Sequence, residues 1–102
     1  MYVIEILLPL SDNDGRRFPG ELWQWVRETL VEKFGGLTAF SRNPAEGVWD
    51  GDEGGRSRDD IVVFEVMADT LERDWWRGFR EALERRFRQE EIVVRAQRIE
   101  RL

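Results

Sequence analysis

Three charged side chains interrupt runs that otherwise read as apolar strands: Glu5, Glu65 and Arg95. Two carboxylates brought into a partly enclosed space favour keeping one proton between them, which is the condition for a general base. A guanidinium beside them can hold an anionic group. The same trio can also act as an Arg-carboxylate cluster that sets the register of an assembly. Glu5 and Glu65 are therefore the candidate catalytic residues. Glu5, Glu65, Arg95 and Gln97 form the candidate ligand-binding set.

The residue types that are missing narrow the chemistry further. The 102-residue chain has no cysteine and no histidine. That removes Ser-His and Cys-His nucleophile pairs, Cys/His zinc sites and His-ligated haem. Any catalysis falls to Asp, Glu, Tyr2, Arg or Lys33, the only lysine. Asp50 and Asp52 with Gly55 begin like a calcium loop, but Gly54 and Ile61 stand where oxygen ligands belong. No phosphate loop or dinucleotide glycine fingerprint is present. No metal and no cofactor are expected.

Net charge is −5. Arginines alternate with acids, as in Arg80-Glu81 and Glu84-Arg85-Arg86, which reads as a solvated helix face and not as a phosphate patch. A phosphate-binding alternative would use Arg42, Arg56 and Arg58, or the Arg16-Arg17 pair. No nucleic-acid partner is expected. No apolar run approaches the roughly 20 residues of a membrane span, and no signal peptide is expected at the N-terminus. A small chain without cysteine fits the cytoplasm.

The elements that must position the charged trio follow from periodicity. Tyr2 to Leu8 alternates with period two and ends at Pro9. Ser11 to Gly15 is a turn cluster. A helix is predicted from Pro19, with Leu22, Trp23, Trp25, Val26, Leu30 and Phe34 on one stripe and Gly35-Gly36 as its stop. Lys33, near the helix end, is expected to reach free carbonyls. Leu37 to Arg42 reads as a short strand. Asn43 to Asp60 is irregular, with a mobile tip at Asp50 to Arg58 and Trp49 anchoring its base. Ile61 to Ala68 alternates strongly. Asp69 or Thr70 is expected to cap a second helix, whose apolar arc runs from Leu71 through Trp75, Trp76, Phe79, Ala82 and Leu83 to Phe87. Ile92 to Ile99 closes the set.

One domain over residues 1–102 follows: an α+β, ferredoxin-like βαββαβ sandwich, antiparallel sheet order 4-1-3-2, with both helices on one face. The helix-facing set is Tyr2, Ile4, Ile6, Leu8, Val62, Phe64, Val66, Ile92, Val94 and Ala96. The opposite face carries Val3, Leu7, Ile61, Val63, Met67 and Val93 around the charged residues. That face is too apolar for bare solvent, so a homodimer interface is expected there.

Phe34-Gly35-Gly36-Leu37-Thr38, Gly47-Val48-Trp49 and Arg86 to Glu91 together resemble a group of small uncharacterised bacterial proteins of ferredoxin-like topology. The resemblance implies the fold and no activity. The chain is also similar to dimeric α/β-barrel proteins, whose sheet faces pair around a cavity. Enzymes of that kind often use a cavity histidine, which this chain lacks. The expected function is a non-enzymatic homo-oligomeric domain binding a partner or small ligand through its open sheet face. The alternative is a cofactor-free enzyme of the dimeric-barrel type, acting on a small organic substrate with Glu5 or Glu65 as base.

Overall fold

The computed structural model describes residues 1–42 and 61–102. Its elements are β1 (Tyr2–Pro9), α1 (Gly20–Phe34), β2 (Thr38–Arg42), β3 (Ile61–Ala68), α2 (Arg73–Arg86) and β4 (Val93–Arg98). The four strands form one antiparallel sheet ordered β2-β3-β1-β4, which is the expected order read from the other edge. This is the ferredoxin-like βαββαβ arrangement. The expectations placed on Asn43 to Asp60, including Trp49 and the Asp50–Asp52 pair, lie outside the described residues.

Period-two alternation puts Ile4, Ile6 and Leu8 of β1 and Phe64 and Val66 of β3 on one face. There they meet Val26 and Leu30 of α1 and Trp76, Phe79 and Leu83 of α2, forming a single buried core. No charged or polar side chain is buried among the described residues.

Turn chemistry sets the helix ends. Asp12 Oδ1 accepts the backbone N–H groups of Asp14 and Arg16, both at 2.9 Å, and Gly15 takes φ 85° in that turn. Gly35, also at φ 85°, ends α1 and donates its N–H to the Val31 carbonyl at 2.7 Å. A residue with a Cβ is disfavoured at both positions. α2 starts later than a cap at Asp69 or Thr70 would place it. Glu72 precedes the first helical residue and makes no side-chain cap. Leu71, expected inside the helix, instead packs on the core from the preceding turn.

α2 ends in a Schellman motif. The Gln89 N–H donates to the Glu84 carbonyl at 2.9 Å and the Arg88 N–H to the Arg85 carbonyl at 3.3 Å. Arg88 holds the left-handed position, φ 55°. Within α2, Gly78 has open space where a Cβ would stand. Gly78→Ala is therefore expected to stabilise the chain by about 0.5–1 kcal/mol. Urea unfolding checks this, and a loss of stability would mean that the helix needs the glycine for close packing.

The helix–helix seam is aromatic. Phe34 stacks on Trp76 at 5.3 Å, and Trp25 meets Phe79 at 5.6 Å. Lys33 lies 4.8 Å from the Trp75 ring centre and 3.4 Å from a Glu72 oxygen. It therefore ties α1 to α2 instead of reaching free carbonyls, because α2 brings a carboxylate and a ring within its span. Arg86 covers Trp25 in the same way, at 4.2 Å.

Glu84 joins α2 to the chain entering β4. Its Oε2 accepts the Ile92 N–H at 3.0 Å and the Arg80 guanidinium at 2.9 Å. The Ile92 hydrogen bond is the main cause that holds the Glu84 carboxyl below its ordinary value; burial opposes it and Arg80 assists. A depressed folded-state pKa stabilises above the unfolded value, and that contribution is lost as pH falls through the folded one. Glu84→Gln is expected to melt below the parent near neutral pH, with the gap closing below about pH 4. Paired melting curves across this range are the measurement. A gap independent of pH would remove the charge from the explanation.

The helices do not cover the sheet completely. Val94 was expected under them and is only half-buried; Ala96, from the same set, is exposed. β4 spans Val93–Arg98 and not Ile92 to Ile99, although Ile92 is buried as expected. β2 likewise begins one residue late, at Thr38.

Candidate functional site

Strand register brings the charged residues into one row. Glu5 is the cross-strand partner of Glu65 on β3 and of Arg95 on β4, and Glu65 pairs in turn with Thr38 on β2. The row thus reads Thr38, Glu65, Glu5, Arg95 across the sheet face away from the helices. The Arg95 Nε donates to Glu5 Oε1 at 2.8 Å. The Glu5 side chain is about 25% exposed and that of Arg95 52%. Glu65 is half-buried and has no cationic partner among the described residues.

The hydrogen-bond phase of β1 sharpens this geometry. The Ile99 N–H donates to the Met1 carbonyl at 3.0 Å. Hydrogen-bonded pairs alternate along an antiparallel ladder, so Val3, Glu5 and Leu7 bond toward β4. Toward β3 the same residues form the wide, non-bonded pairs, in which side chains approach most closely. Glu5 and Glu65 therefore stand at the closest cross-strand spacing a sheet provides. Like charges directly opposite one another are destabilising. The row carries two carboxylates and one guanidinium.

Apolar rows flank it. Met67, Val3 and Gln97 lie on one side, and Val63, Leu7 and Val93 on the other. Gln97 is exposed and one row from Arg95. Met67 and Val93 are 49% and 47% exposed and are the large apolar side chains most open on this face among the described residues. Val3, Leu7 and Ile61 are half-buried. Val63 is fully buried, so it offers no surface to a partner.

Other expectations resolve one by one. Phe64 is in the core, so β3 presents no aromatic ring for base stacking. Arg17 lines a groove of about 410 Å³ with Arg86 and Arg88, and Asp12 and Glu21 share that groove. Arg42 ends β2, whereas Arg56 and Arg58 lie outside the described residues. Among the described residues no group of three or more Asp or Glu side chains is placed to hold a metal ion. No described helix is long and apolar enough to cross a membrane.

One set of residues escaped the sequence reading. Arg73, Arg77 and Arg80 line a single groove between α2 and β4. Their spacing of four and three residues is a one-face helical pattern. It was masked by the acids interleaved with it. No protein family, curated protein or solved structure matches the chain.

Proposed function

We propose that the chain is a non-catalytic binding domain that forms a homodimer through its open sheet face and holds there a partner or small ligand bearing a cationic group. The observation that carries this reading is the direct pairing of Glu5 with Glu65, two carboxylates served by one arginine. A cation placed beside Glu65 turns the repulsion across β1 and β3 into attraction to both. The exposed Met67 and Val93 supply apolar surface on both sides of the row, as interfaces do. The absence of cysteine favours a cytoplasmic setting.

Sedimentation velocity on the whole chain tests the assembly. Thermal shift with aryl amines and guanidines, set against aryl carboxylates of the same size, tests the ligand class. A dimer at micromolar concentration and a melting point raised only by the cations are expected. A monomer at about 100 µM with no preference for cations would end this reading.

A further inference from the structure

β4 closes one side of the described sheet. The phase set by the Ile99–Met1 hydrogen bond turns the backbone groups of Val93, Arg95 and Gln97 toward β1. The N–H and C=O of Val94 and Ala96 consequently point outward, toward an edge that no described strand covers. Both residues line a groove of about 250 Å³ beside α2, where Leu71 and Trp76 contribute apolar surface. Arg73, Arg77, Arg80 and Arg95 also line it, and no acidic side chain among the described residues does. On a chain of net charge −5 this is a local inversion of sign.

We propose that this groove binds an acidic, extended segment of a partner protein as a fifth strand on the edge of β4, with its carboxylates read by Arg73 and Arg77. The spacings agree. Arg73 and Arg77 are four residues apart on α2, about 6 Å along the helix. Alternate residues of a strand, which share one face, are about 6.7 Å apart. Acids at every second position of the segment then meet successive arginines. Arg73 has no ion-pair partner among the described residues. Among the described residues Arg77 pairs only with Asp74, and both side chains are well exposed, so a ligand carboxylate can compete for it. Arg80 is held by Glu84, which also accepts the Ile92 N–H, and forms part of the wall.

Two other occupants fit less well. A second copy pairing β4 with β4 would crowd Arg95, Arg98 and the α2 arginines of both chains together, and charged residues of this kind guard sheet edges against self-pairing. A nucleic acid would satisfy the arginines but has no alternating donors and acceptors for Val94 and Ala96. Strand addition uses both. Arg95 borders both this groove and the Glu5–Glu65 row, but Arg73 and Arg77, which read the segment, lie outside that row, so either proposal can fail alone.

The test is fluorescence anisotropy with a labelled peptide of about eight residues that alternates Glu with Thr or Val. Saturable binding is expected. Replacing each Glu by Lys, or N-methylating the peptide backbone at alternate positions, should weaken binding by about tenfold or more. The paired substitutions Arg73→Glu and Arg77→Glu should do the same. So should Ala96→Pro, which removes an outward N–H and spares the bonds to β1. Circular dichroism confirms that each variant folds, and the N-methylated peptide tests the edge on the unaltered protein. The proposal is overturned if the Glu peptide does not saturate. It is equally overturned if N-methylation leaves affinity unchanged, or if a single-stranded oligonucleotide binds as tightly as the peptide.

Discussion

Arg95→Glu is expected to convert the proposed dimer to a monomer while the chain stays folded. The substitution puts three carboxylates in one row, Glu65, Glu5 and residue 95, with no cation left in it. In the isolated chain the loss is small. The Glu5–Arg95 pair is partly solvated, with the arginine side chain about half exposed, so it is worth about 1 kcal/mol or less. In a closed interface water no longer screens the row, and an unbalanced buried charge costs several times more. The dimer dissociation constant should rise about 100-fold, and the unfolding midpoint of the monomer should shift by only a few degrees. Analytical ultracentrifugation and urea unfolding separate the two effects. Equal dimer affinity for variant and parent would place the interface elsewhere, and loss of folding would mean that the row stabilises the sheet itself.

Phe87→Ala should produce the largest loss of stability, about 3–5 kcal/mol. Phe87 is fully buried although it lies just past the last turn of α2. Its ring meets Phe18 at 4.9 Å and Trp23 at 5.2 Å, both edge to face. It joins the loop before α1, the first turn of α1 and the turn that leads into β4. An alanine leaves a cavity that three separate segments would have to collapse to fill. A chain of this length has about 5–15 kcal/mol of total stability, so the variant should lie near the folding threshold at room temperature. Urea unfolding followed by tryptophan fluorescence gives the value. A cost below about 1 kcal/mol would mean that the surroundings close over the site.

Most of the architecture is legible in the order of residues. Alternation in β1 and β3 is clean enough to assign each side chain to a face. The helical stripes and Gly35 locate both helices, and the order of elements leaves few sheet topologies. What escapes is set by packing over distance. Leu71 sits at a helical spacing from Trp75 but packs against the core from the segment before α2, a contact with residues far off in sequence. Lys33 finds Glu72 and Trp75 across 39 or more positions of sequence, which no local pattern encodes.

The functional surfaces divide along the same line. That Glu5, Glu65 and Arg95 share the face away from the helices follows from period two alone. That they occupy one row, with the two carboxylates at the closest cross-strand spacing, depends on register. Register is a relation between strands separated by most of the chain, and one residue of slip would move every partner to the other face. The α2 arginines could be counted along the helix, but the sequence does not say that Val94 and Ala96 stay uncovered beside them. That outcome comes from where α2 lies on the sheet. The sequence by itself determined which side chains face which way, because backbone geometry is local. The tertiary structure decided which of them meet, because contacts between distant segments are chosen by the packing of the whole core.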